Sequence, residues 1–181
     1  EERQGLQVAC LEEIAFEKCG TIKKGGNVVC SLGQPESALK VVSRIASERE
    51  NNLIIPEENK ISVEKSDLFG TDLIYKNKKY HITMSGLHQV KNMTCVIEAC
   101  QILSEYFDIS YDNVYNGIAE TVLPARVEVL SKKPLVILDG GHNEDGAKAF
   151  YNAVKDEFSK YEKIVAVAGM MADKAVEESL K

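Results

Sequence analysis

The segment that most constrains this chain is Lys133 to Met171, KPLVILDGGHNEDGAKAFYNAVKDEFSKYEKIVAVAGMM. Pro134 to Leu138 is apolar without a break and stops at Asp139. A run with no polar side predicts a parallel strand covered on both faces. Gly140 and Gly141 open a polar turn, after which Ala147, Phe150, Tyr151, Val154 and Phe158 recur at helical spacing. A second apolar run, Ile164 to Ala168, ends at Gly169. Strand, turn, helix, strand is a βαβ unit with a right-handed crossover, and the chain reads as α/β. Ligands of such units sit beyond the carboxyl ends of the strands, where Asp139 and His142 fall.

Upstream, a second unit of the same kind is expected. Leu11 to Gly20 reads as a short helix with Leu11, Ile14, Ala15 and Lys18 on one face and Gly20 as its cap. Asn27 to Ser31 and Asn52 to Ile55 read as buried strands. Between them, Pro35 suits a first helical turn, and Leu39, Val42, Ile45 and Ala46 make an apolar face up to Glu50. Ile61 to Met84 changes character: short, lysine-rich, partly alternating stretches with a turn at Asn77-Lys78 predict a small antiparallel meander. Leu87 to Phe107 is the longest helical signal, its face drawn through Met93, Val96, Ile97, Cys100, Leu103 and Phe107. Asp112 to Val122 follows as a second helix, Leu123-Pro124-Ala125 breaks the pattern as a domain boundary, and Arg126 to Ser131 reads as a strand.

The net charge of −6 argues against a nucleic-acid-binding domain, which needs a basic face for the phosphate backbone. No apolar run is long enough for a membrane span, and the first ten residues lack the pattern of a secretory signal, so a cytoplasmic protein is expected. Cys10, Cys19, Cys30, Cys95 and Cys100 form no CxxC pair and stand away from the histidines, which predicts reduced structural thiols rather than a zinc site.

Four groups could carry chemistry: Lys18 in EKCG; Gly86, His88, Gln89 and Asn92 in GLHQVKN; Arg126; and Asp139 with His142 in DGGHN. Each has an ordinary structural explanation as well. A helix-end lysine is usually solvated, polar groups at a helix start usually cap it, and a lone arginine usually makes a surface ion pair. Asp139 stands out because the crevice rule places ligands at its position. Neither G-x-x-x-x-G-K-[ST] nor G-x-G-x-x-G occurs.

In order, however, LEEIAFEKCGTIK, GLHQVKN, PARVEVL, PLVILDGGHN and GMMADKA resemble successive motifs of the folylpolyglutamate synthase/dihydrofolate synthase family of the Mur ligase superfamily. The resemblance runs from Leu11 to Lys181. It implies an α/β chain in two parts: residues 1–123 as the later part of a central ATPase domain carrying the meander, and 124–181 as the first half of a Rossmann-like ligase domain. It implies an ATP- and Mg2+-dependent enzyme that phosphorylates a carboxylate of folate or dihydropteroate and lets L-glutamate attack the acyl phosphate. The full-length enzyme is expected to be a monomer with small-molecule substrates and neither nucleic-acid nor membrane partners.

The roles follow by the same resemblance. Lys18, carbamylated, helps hold magnesium, a hard cation that needs oxygen ligands. Asn92 contacts adenine and is framed by His88 and Gln89. Arg126 reaches the phosphates, Asp139 the ribose, and His142 the nucleotide. The sequence departs from the pattern at Cys19, Thr21, Ala125 (for glycine) and Glu144 (for proline), and it has no H-x-x-x-L-G segment before Leu11. With no P-loop among the 181 residues, the isolated chain is expected to be inactive. The alternative is a non-catalytic remnant or a split subunit that pairs with a separate P-loop chain.

Overall fold

In a computed structural model describing residues 10–141 and 143–169, the chain divides into two compact units. One is Glu1–Glu58 with Thr94–Asp108, the other Asn59–Met93 with Ile109–Lys181. The break at Leu123-Pro124-Ala125 falls within the second.

The first unit contains α1 (Leu11–Lys18), β1 (Asn27–Val29), α2 (Glu36–Glu48) and β2 (Asn52–Ile54). β1 and β2 pair in parallel, Val28 opposite Leu53, with α2 as the crossover, so the upstream βαβ expectation holds. Pro35 stands at the N-cap of α2, and Ala38, Ile45 and Ala46 are its buried residues. α1 packs against α2 through Ala15, whereas Leu11 and Ile14 are exposed, contrary to the expected apolar face. Gly20 does not cap α1. Cys19 does so in a right-handed conformation, and a 3-10 turn, Cys19–Thr21, tightens the chain with Ile22 N donating to Cys19 O at 3.0 Å. Asn51 ties the strand starts together: its amide donates to Lys23 O at 2.7 Å and accepts from Gly26 N at 2.8 Å.

In the second unit β3 (Ile61–Asp67), β4 (Gly70–Tyr75) and β5 (Lys78–Ile82) form the expected antiparallel meander. Its hairpin turn is Lys76-Asn77, one residue earlier than expected, because Tyr75 pairs with Lys78 and both loop residues take positive φ. Leu73, Tyr75 and Ile82 are fully buried. α3 (Leu87–Leu103), whose residues from Thr94 onward belong to the first unit, buries Gln89 at its start and then Val90, Met93, Thr94, Ile97 and Glu98; Met93 and Ile97 of the expected face are buried, whereas Val96, Leu103 and Phe107 are exposed. From Val90 on, those buried positions follow i, i+3, i+4, i+7, i+8, but two of them are polar, so hydrophobicity alone draws the stripe about a quarter of a turn away. α4 (Tyr111–Glu120) starts one residue earlier than expected because Ser110 caps it.

β6 (Glu128–Lys132) and β7 (Leu135–Leu138) overturn the reading of the most constraining segment. β7 pairs antiparallel with β6, not in a parallel sheet. Only Lys133 and Pro134 separate the paired residues Lys132 and Leu135, and a two-residue connection joins antiparallel neighbours. Leu135 and Ile137 face inward, while Val136 and Leu138 face out and are exposed. Residues 164–168 belong to no strand, with Val167 95% exposed, so the βαβ unit is not formed among the described residues. The helix between them is present as α5 (Glu144–Phe158). Its Val154 packs with Leu68 and Val127 in a core joined by Val129, Leu135, Ile137, Phe150 and Ala153. The helix expected from Asp173 to Lys181 lies outside the described residues.

All five cysteines are free; burial pushes the Cys30 and Cys95 thiols up from their ordinary value, which keeps them protonated. No described helix is long and apolar enough to cross a membrane.

Candidate functional site

β7 delivers Asp139 at its carboxyl end, and the carboxylate immediately turns to main chain. Oδ2 accepts from Val127 N at 2.9 Å and Oδ1 from Gly141 N at 2.7 Å. Gly140 N donates to Ala125 O at 2.8 Å. Arg126 is therefore carried on a loop laced to the end of β7. Its side chain is exposed and makes a long hydrogen bond, 3.4 Å, from Nη1 to Ala125 O. No described carboxylate pairs with it. A side chain at Gly140 would stand 3.1 Å from Nη1, so the glycine leaves room for the guanidinium. Asn143 caps α5, its side chain accepting from Gly146 N at 2.8 Å.

The start of α3 contributes to the same unit. Gly86 has φ +100°, and a side chain there would stand 2.7 Å from His88 Cε1, so only glycine lets the histidine fold back. His88 is half-buried and its Nε2 lies 3.1 Å from Gln89 Nε2. Gln89 is buried and accepts from Asn92 Nδ2 at 3.1 Å, giving a polar relay Asn92–Gln89–His88. Burial is the main cause that lowers the His88 pKa from its ordinary 6.5; Asp139 opposes it and Arg126 adds to it. A neutral ring taking the Gln89 amide at Nε2 carries its proton on Nδ1 and can donate it.

The structure thus brings His88, Gln89, Asn92, Arg126 and Asp139 into one unit, with His88, Arg126 and Asp139 close enough to interact electrostatically. His142 lies outside the described residues. Lys18 belongs to the other unit, exposed at the end of α1, its carbonyl accepting from Thr21 Oγ1 at 3.0 Å. The turn after it is fastened by Arg49, whose Nη1 donates to Cys19 O at 3.2 Å and to Ile22 O. Sequence reasoning missed Arg49 and also Glu128, whose Oε2 accepts from Ala125 N at 2.8 Å. Neither sits in a pattern that gives it away, since each acts on main-chain groups whose positions only the fold sets. Among the described residues no three His, Cys, Asp or Glu side chains converge as a metal site. An open depression of about 590 Å3 on α1 and α2, lined by Glu12, Glu36, Ser37, Lys40, Val41 and Arg44, includes none of the expected residues.

An exposed cation, a neutral histidine and a string of amides make a surface for a polar anionic ligand. Comparison with known proteins gives the class. The Mur ligase glutamate ligase domain family matches residues 125–180, and the fold is the α/β fold of these ligases. The chain is 28% identical to the folylpolyglutamate synthase of Lacticaseibacillus casei over 96% of its own length and 42% of that protein. It is 29% identical to the dihydrofolate synthase/folylpolyglutamate synthase of Bacillus subtilis over 94% of its length and 41% of the relative. The solved complex of a folylpolyglutamate synthase with AMPPCP and folate superposes with a TM-score of 0.69 at 25% identity, covering 88% of this chain and 40% of that one. The chain is similar along most of its length to enzymes of the folylpolyglutamate synthase/dihydrofolate synthase family, and it spans less than half the length of these relatives.

Proposed function

We propose that this chain forms the nucleoside-facing and arginine-bearing side of an ATP site. The enzyme it belongs to joins L-glutamate to folate or dihydropteroate through an acyl phosphate. The observation that carries the reading is Arg126, a guanidinium with no described carboxylate partner, beside His88 and Asp139 at the end of β7. A fixed cation of that kind neutralises charge on transferring phosphate. Asn92 and the Gln89–His88 relay take the adenine, and the remaining lone pairs of Asp139 accept from ribose hydroxyls. His142 completes the nucleotide contacts. The AMPPCP and folate of the related complex support this assignment. Residues 1–123 then belong to the central ATPase domain and 124–181 to the ligase domain, working in the cytoplasm on small molecules.

Magnesium fits less well. Carbamylated Lys18 would supply carboxylate oxygens, but it is exposed, and no cluster of further ligands occurs among the described residues.

AMPPCP titrated into the purified 181-residue chain by calorimetry tests the reading. Measurable binding that Arg126→Ala weakens at least about tenfold is expected, since a charge-assisted contact is lost. Glutamate-dependent phosphate release by this chain alone is expected to be absent. No AMPPCP binding, or binding indifferent to Arg126, overturns the reading. The split-subunit alternative is favoured by the uncovered apolar residues Val136, Leu138, Ile164, Val165 and Val167. A chain that sediments as a monomer and captures no P-loop partner counts against it.

A further inference from the structure

Arg126 is flanked by two residues in the left-handed region, Ala125 at φ 54° and Val127 at φ 52°. For residues with a Cβ that conformation is strained, and for a β-branched residue such as valine it is rare. Such an arch persists only where its surroundings hold it. On one side Val127 N is held by Asp139 Oδ2 at 2.9 Å, and the Val127 side chain is buried against Leu68 and Val154. On the other side Ala125 O is held by Gly140 N, and Ala125 N by Glu128 Oε2 at 2.8 Å.

The carboxylates of Glu128 and Asp139 thus bind main-chain N–H groups rather than the guanidinium. The N–H of Ala125 turns Oε2 of Glu128 to the main chain, and no described ion pair joins this carboxylate to the guanidinium, which stays available to an anion. We propose that Glu128 is a positioning residue for Arg126, closing the arch through Ala125 N and withholding its own charge from the guanidinium. The proposal rests on the nucleotide reading for what Arg126 meets, though not for how the arch is held.

Amide exchange followed by NMR reads the Ala125 N–H directly. Glu128→Ala is expected to speed it about tenfold or more by removing its acceptor, while the Val127 N–H, held by Asp139, keeps its protection. Glu128→Gln retains a carbonyl oxygen and leaves the Ala125 N–H protected. In AMPPCP titrations Glu128→Ala weakens binding about tenfold, Glu128→Gln restores most of it, and Glu128→Ala adds nothing once Arg126→Ala is present. Unchanged Ala125 exchange in Glu128→Ala overturns the clamp. An additive loss in the double variant overturns action through Arg126. If the unaltered chain binds no AMPPCP, the nucleotide reading falls by itself. The clamp is then decided by Ala125 exchange and by the Arg126 Nε–H resonance, which must move in Glu128→Ala and stay in place in Glu128→Gln.

Discussion

Ala125 occupies a position where the family pattern has glycine, and its φ of 54° supplies the reason the pattern exists. The left-handed conformation sets Cβ against the following carbonyl, a contact glycine avoids. Ala125→Gly is therefore expected to stabilise the chain by about 0.5–1 kcal/mol, after the extra unfolded-state entropy of glycine is subtracted. The urea midpoint measures it, and a lower midpoint would show that the arch is not strained. His88 gives a pH signature. Its folded pKa is depressed below the ordinary 6.5, chiefly by burial, so the unfolded chain binds more protons as pH falls through that window. The stability this group contributes is present above about pH 6.5 and lost as pH drops toward the folded value. A histidine NMR titration in the folded chain should place His88 below 6.5, and His88→Gln should flatten that part of the stability profile.

At the scale of elements, boundaries were set by single polar groups more than by apolar pattern. α4 begins at Tyr111 because Ser110 Oγ accepts from Asn113 N at 3.1 Å, while Asn113 Oδ1 accepts from Ser110 N at 2.9 Å. Ser110→Ala should cost about 1 kcal/mol, seen as a lower thermal midpoint by circular dichroism. Ser110→Asp, which keeps a capping oxygen, should restore it. The β4–β5 turn lies one residue ahead of Asn77-Lys78 for a related reason: Asn77 reads as a turn residue in the sequence, but only the Tyr75–Lys78 pairing makes Lys76 its partner. The buried stripe on α3 departs from the apolar one because Thr94 and Glu98 are buried on it, and a polar residue carries no sign in the sequence that a partner awaits it.

At the scale of the molecule, the second unit is held by a small core in which Val154 of α5 meets Leu68 of the meander and Val127 of the arginine arch. Val154→Ala, which removes two buried methyl groups, should cost about 2 kcal/mol and raise amide exchange along β6 and β7. An effect confined to α5 would mean that the arch does not depend on this core. The sequence by itself determined a good deal. Its apolar runs predicted the parallel pair β1–β2 and the meander, because burial periodicity is a local property. Its ordered motifs pointed to the same ligases that the comparisons match, because they are read residue by residue. What LVILDGG pairs with was decided only in three dimensions. A two-residue connection forces β7 back along β6, and no apolar count records that geometry. The same holds for the site. Asp139 was legible as an acid at the rim of a crevice, but whether its oxygens, and those of Glu128, face a ligand, an arginine or the main chain depends on where distant N–H groups come to rest. Hydrogen bonds are short and directional, so tertiary structure alone assigns them.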